Sequence, residues 1–312
     1  MVEVKNLVKK YGNNYAVDDI SFTIKDGEIV GFLGPNGAGK TTTMNILTGY
    51  LSATSGTVLV DGIDITEKPI EVKKSIGFLP ETPPLYADMT VYEYLTFVYE
   101  LKGCDFNKEK HLEEICEVVK LLDVKDRLIR NLSKGYKQRV GIAGAIVGNP
   151  KFIIFDEPTV GLDPKQIIEV RSLLRTLGKS HTIILSTHIL SEVQAICDRV
   201  LIINDGKIVA DEKTSNLAKT IGQAIQFKVK ISGPSKEIYE LLRTIPGVTK
   251  VRELGVKEGD AFTYYVEASN GVDIRKPMFK ALAVKGWPIM GLENTSGELE
   301  EVFVKLIDKN RR

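Results

Sequence analysis

Residues 28–47 read EIVGFLGPNGAGKTTTMNIL, from Glu28 to Leu47. The apolar run EIVGFL leads straight into a glycine-rich segment, GPNGAGKT, and that segment opens TTTMNILTG, which has a helical pattern. A strand, a glycine-rich turn ending in Lys-Thr, and a helix in that order are the setting of a phosphate-binding loop. Glycines let backbone amides curl around phosphate oxygens, and the following helix offers free N–H groups and the positive end of its dipole. The phosphate-binding candidates are therefore Gly34, Pro35, Asn36, Gly37, Ala38, Gly39, Lys40 and Thr41, with Thr42 beside them on the first helical turn. Lys40 is the residue to reach the β- and γ-phosphates, and the Thr41 hydroxyl is placed for Mg²⁺.

A second apolar run, KFIIFDEP, delivers two adjacent carboxylates at its C-terminal end, Asp156 and Glu157. Asp156 suits Mg²⁺, directly or through water, and Glu157 suits the attacking water as its orienting or general base. Together the two motifs specify a nucleoside triphosphatase. A third run, HTIILSTH, ends in His188, where a ring nitrogen can contact a γ-phosphate; alone, that histidine would read as structural. His111 and His181 stand in charged, helical or turn contexts and read as surface residues.

Short β-branched runs alternating with helical patterns predict an α/β domain, a sheet covered by helices. Between Pro80 and Pro150 the strand pattern stops. Thr90 and Glu93 have the spacing of a capping box before a helix, and Leu112, Ile115, Cys116, Val119 and Leu122 share one face of a second helix. A helical insert over about 81–150 is thus predicted inside a domain spanning 1–219. Over 220–312 the order becomes β-α-β-β-α-β with one added helix at GELEEVFVKLI, the split arrangement of a small α+β ferredoxin-like domain. The 312 residues suffice for both. With 42 basic and 41 acidic residues the net charge is +1, which argues against nucleic acid as a partner. Three cysteines form no CxxC pair and read as buried thiols in a reducing cytosol. No apolar run is long enough to span a bilayer, so any membrane role requires another chain.

From Met1 to about Leu217 the sequence resembles the nucleotide-binding subunit of an ABC transporter. The motifs stand in that family's order: GPNGAGKT, LSKGY at Leu132 to Tyr136, FIIFDEP, GLDP at Gly161 to Pro164, and STH with His188. The resemblance implies ATP and Mg²⁺ as cofactors, with Tyr11, or alternatively Tyr15, stacking on adenine. It also implies a second copy of the chain, whose Ser133 and Gly135 complete each ATP site, with Asp163 at the contact between the sites. Integral-membrane permease subunits are the implied partners, and a peripheral position on the cytoplasmic face of the cell membrane is the implied location.

Two departures refine this reading. Lys134 and Tyr136 replace the first Gly and the Gln of the usual Leu-Ser-Gly-Gly-Gln, and Glu81 stands where the family carries a Gln that senses Mg²⁺, which makes Glu81 a third candidate metal contact beside Thr41 and Asp156. Both resemble the branch of drug, sodium and polysaccharide exporters. Tyr86 and its loop are the candidate surface for the membrane subunit, since interfaces favour aromatics. An importer ATPase with a substrate-sensing C-terminal domain, or an ABC ATPase without membrane partners, is the alternative.

Overall fold

The chain starts with a hairpin of β1 (Val2–Tyr11) and β2 (Asn14–Ile24), both alternating between buried and solvated positions. β3 (Ile29–Leu33), buried throughout, feeds the glycine-rich loop and α1 (Lys40–Leu47). β4 (Ser55–Val60) and β5 (Ile63–Asp64) then return to the hairpin, giving an antiparallel sheet in the order β2-β1-β4-β5. The computed structural model describes residues 1–216, 226–269 and 272–294. The chain folds into two compact units, Met1–Thr214 and Ser215–Arg312.

In the first unit, α2 (Pro69–Ser75) precedes β6 (Ile76–Leu79), and the expected helical insert follows as α3 (Val91–Lys102), α4 (Lys108–Val118) and α5 (Lys134–Ile146). The chain continues with β7 (Phe152–Asp156), α6 (Pro164–Leu177), β8 (Thr182–Thr187), α7 (Leu190–Ile196), and the hairpin β9 (Arg199–Asn204) and β10 (Lys207–Lys213). These strands form a six-stranded sheet in the order β10-β9-β3-β8-β7-β6, parallel except for β10. One core joins the two sheets. Val4, Leu7 and Phe22 from the first meet Phe32, Ile154 and Ile184 from the second, with Met44 and Leu47 of α1 between them.

Local sequence explains the insert. Thr90 and Glu93 make the capping box that opens α3. On α4, Leu112, Ile115 and Cys116 are buried, but Leu122 lies beyond the helix in a 3₁₀ turn and is exposed, so the apolar face ends at Val119. The two histidines expected at the surface are instead held in place. His181 is buried with Nδ1 2.8 Å from the Pro150 carbonyl oxygen, and half-buried His111 accepts the Gly148 N–H at Nε2, at 3.1 Å. Each satisfies backbone around the turn that leaves the insert, a tertiary role invisible in local composition.

The second unit comprises β11 (Gln226–Ser232), α8 (Ser235–Thr244), β12 (Val248–Glu258), β13 (Ala261–Ala268), α9 (Arg275–Val284) and β14 (Ile289–Asn294). Its antiparallel sheet runs β12-β13-β11-β14, and Ile238, Leu242, Met278 and Leu282 of the two helices form a core with Phe227, Val229, Tyr264 and Val266. The added helix expected at GELEEVFVKLI lies outside the described residues.

Candidate active site

Ligands of parallel α/β sheets bind beyond the carboxyl ends of the strands. Here β3, β8 and β7 are neighbours and end together: the Gly34 N–H donates to the Thr187 carbonyl at 3.3 Å, and the Glu157 N–H to the Ser186 carbonyl at 2.9 Å. The glycine-rich loop, the histidine and the two carboxylates therefore leave the sheet along one line. Gly39, at φ +104°, is the N-cap of α1, and no side chain among the described residues caps that helix, so its first amides point into the loop. A Cβ on Gly39 would collide with the Ala16 carbonyl oxygen, and one on Gly34 with that of Ile203. Both positions require glycine because backbone passes directly behind the loop.

Lys40 is buried and donates to the carbonyl oxygens of Gly34 at 2.8 Å and Pro35 at 3.2 Å, while its Nζ lies 3.5 Å from Glu157 Oε1. Glu157 holds a left-handed backbone, φ +50°, an unfavourable conformation for a residue with a Cβ and one that persists where surroundings enforce it. His188 Nδ1 sits 3.0 and 2.9 Å from the two Glu157 carboxylate oxygens. Asp156 is 1% exposed, and neither of its carboxylate oxygens has a partner among the described residues; nor does the Ser186 hydroxyl, its register neighbour on β8. An unpaired buried carboxylate is costly enough to require an explanation. A hard divalent cation that keeps part of its water shell, such as Mg²⁺, is chemically suited to those two oxygens.

Above these groups opens a cleft of about 410 Å³ lined by Asn36, Gly37, Gly39, Lys40, Thr41, Thr42, Glu81, Glu157 and His188, together with Ala16 and Val160. Glu81, exposed and remote in sequence, is thus brought beside Lys40 and Thr41. Tyr11, Ser133 and Gly135 do not line this cleft. Tyr11 and Tyr15 are half-exposed near the tip of the β1–β2 hairpin, with Lys9 and Lys10 ammonium groups 5.3 and 4.2 Å from the respective ring centroids. A second cleft of similar volume, lined by His111 and His181, contains no residue of the phosphate loop.

Ser133 is the N-cap of α5, and Gly135 packs so tightly on the Gln166 side chain that a Cβ would overlap it. Tyr136 donates its hydroxyl to Asp123 at 3.1 Å and lies 5.6 Å from the Arg139 guanidinium, so this departure from the usual motif ties α5 to the preceding 3₁₀ turn. Asp163 caps α6 in a capping box with Gln166, a role its place in GLDP did not advertise. Sequence reasoning also missed Ala16, Gln138 and Glu192. Gln138 donates from Nε2 to the Pro158 carbonyl at 2.8 Å, and Glu192 is buried against Thr159 and Thr187. Gln138 lies in α5 and Glu192 in α7, and an internal polar contact leaves no local signal in either helix.

The ABC transporter family model matches residues 17–160. The bacitracin transport ATP-binding protein of Bacillus licheniformis is 33% identical over 316 residues, covering 98% of this chain and 97% of that protein. The linearmycin resistance ATP-binding protein of Bacillus subtilis is 32% identical and is covered over 100% of both chains. Among solved structures, a dimeric ATP-binding cassette in a post-hydrolysis state bound to ADP and Pi matches with a TM-score of 0.63 and 29% identity, covering 69% of this chain and 99% of that one.

Proposed function

This chain belongs to the ATP-binding subunits of ABC transporters, and we propose that it powers an exporter by ATP-driven closure of two copies coupled to separate membrane subunits. It is an ATP-hydrolysing protein of the P-loop type. The observation that carries the proposal is the convergence of Lys40, Glu157 and His188 at one cleft, next in sequence to the buried Asp156 carboxylate that has no partner among the described residues, while Ser133 and Gly135 do not line that cleft.

In this reading the loop amides and Lys40 hold the β- and γ-phosphates, and Tyr11 or Tyr15 stacks on adenine. Thr41 and Asp156 hold Mg²⁺, with Glu81 beside them; when bound, the ion neutralises charge on the phosphate oxygens. Glu157 takes a proton from water as its oxygen bonds to the γ-phosphorus, and the bond to the ADP oxygen breaks. His188 holds the Glu157 carboxylate from one side and the γ-phosphate from the other. Ser133 and Gly135 of a second copy cover that phosphate, and Asp163 lies between the two sites. ATP then binds the closed pair better than the open one, which is what a population shift requires. Tyr86, half-exposed with its ring edge-on to Phe97 at 5.3 Å, is the proposed contact for a permease subunit at the cytoplasmic face of the membrane. Among the described residues no helix is long and apolar enough to cross a membrane.

The decisive test uses Glu157→Gln. Turnover falls about 10²- to 10⁴-fold, the usual loss for a positioned base, while ATP binding remains and light scattering shows a dimer with ATP but not with ADP. A variant that stays monomeric with ATP refutes the shared site. Co-purification with a multi-span membrane protein tests the transport role.

A further inference from the structure

Glu192 lies in α7, outside the cleft, and is 1% exposed. Its carboxylate gathers three elements. Oε1 accepts the Thr159 hydroxyl, from the loop two residues beyond Glu157, and lies 3.7 Å from a terminal nitrogen of Arg171 on α6. Oε2 accepts the Thr187 hydroxyl at 2.8 Å, from the last residue of β8, immediately before His188. Thr187 is in turn fixed by the Ile189 N–H, which donates to its Oγ1 at 3.1 Å.

We infer that Glu192 is a positioning residue for ATP hydrolysis, fixing Glu157 and His188 relative to each other by tethering the segments that carry them. The inference rests on the proposed role of Glu157. The backbone of Glu157 is strained, so something must hold it on both sides. On its N-terminal side the Glu157 N–H is bound to Ser186. On its C-terminal side Gln138 holds the Pro158 carbonyl, and the Glu192 carboxylate holds Thr159. Each carboxylate oxygen accepts one of the two hydroxyls, so a single side chain bridges the loop after β7 and the end of β8. The carboxylate is also the partner that Arg171 needs, and Arg171 belongs to the helix that Asp163 caps. This links the hydrolytic carboxylate to the turn proposed to face a second copy.

The effect belongs in turnover rather than nucleotide affinity, because Glu192 touches none of the loop that holds phosphate. For the full-length protein, Glu192→Gln is expected to lower kcat at least tenfold with KM and the affinity for a fluorescent ATP analogue within twofold of wild type. Thr159→Val makes a smaller change in the fold and is expected to reproduce most of that loss, with Thr159→Ser recovering at least half of it. The double variant, Glu192→Gln with Thr159→Val, falls no further than Glu192→Gln alone, since both break one tether. A kcat within twofold of wild type for Thr159→Val overturns the inference, as does a loss in Glu192→Gln matched by an equal loss of affinity. The role of Glu157 is judged separately: if Glu157→Gln retains wild-type turnover, that reading fails whatever the Glu192 variants do.

Discussion

A single carboxylate illustrates how a site can be expensive before it is used. Asp156 is buried with both oxygens unpartnered among the described residues, so Asp156→Asn removes a charge that the fold alone does not compensate. The nucleotide-free variant should melt several degrees higher than wild type, because relief of even about 2 kcal/mol moves Tm by roughly 4–8 °C in a domain of this size. Mg²⁺-dependent stabilisation by ATP should disappear in the same melting curves. The opposite sign applies at Gly39, where alanine meets both a φ of +104° and the Ala16 carbonyl. Gly39→Ala is expected to cost about 1–3 kcal/mol, the usual range for overpacking, and to weaken nucleotide binding measured by isothermal titration.

At the level of elements, α3 is anchored at its far end by Lys102, whose ammonium donates to the carbonyl oxygens of Ala145 at 3.4 Å and Val147 at 2.6 Å, at the end of α5. Burial lowers its pKa to about 8 from an ordinary 10.5. Between those values the unfolded chain binds more protons than the folded one, so this group makes stability rise with pH across about 8 to 10.5. Below 8 the penalty is complete and flat. Lys102→Met should therefore flatten the difference between urea midpoints measured at pH 8 and pH 10. The elements also show what local sequence can reveal. β3, β7 and β8 were legible because strands buried on both faces read as unbroken apolar runs. The β1–β2 hairpin, beginning VEVKNLVKKY, was not, since its solvated face interrupts the apolar pattern with lysines and acids. The loop, Asp156, Glu157 and His188 were legible as motifs. The contacts that steady them were not: Glu192 meets Thr159 across 33 positions and Gln138 meets Pro158 across 20, and no periodicity encodes such pairs.

For the molecule as a whole, the core that joins the two sheets of the first unit and the core of the second share no residue among those described, which implies two folding units. A fragment of residues 1–214 should fold with one cooperative transition and bind ATP with affinity within a few-fold of the full chain, as calorimetry and titration would show. Thiol chemistry gives an independent check on packing. Burial raises the pKa of Cys104, Cys116 and Cys197, and only Cys104 is partly accessible. Native protein at pH 8 should lose at most one titratable thiol to a colourless-to-yellow disulfide reagent, against three after denaturation. The position of β8 between β3 and β7 has a further consequence for how this sequence can change. Strands lie about 4.8 Å apart, so the loop and the carboxylates are separated by two such steps, and that gap is set by the sheet rather than by any side chain. Adding or deleting one residue within β8 would rotate His188 to the opposite face and displace it along the strand, whereas the same change in the turn between α3 and α4 would leave every strand end where it is. Length variation among descendants of this sequence should accordingly accumulate in the insert and be purged from β8, a pattern that a library of single-codon insertions, selected for ATP turnover, would reveal.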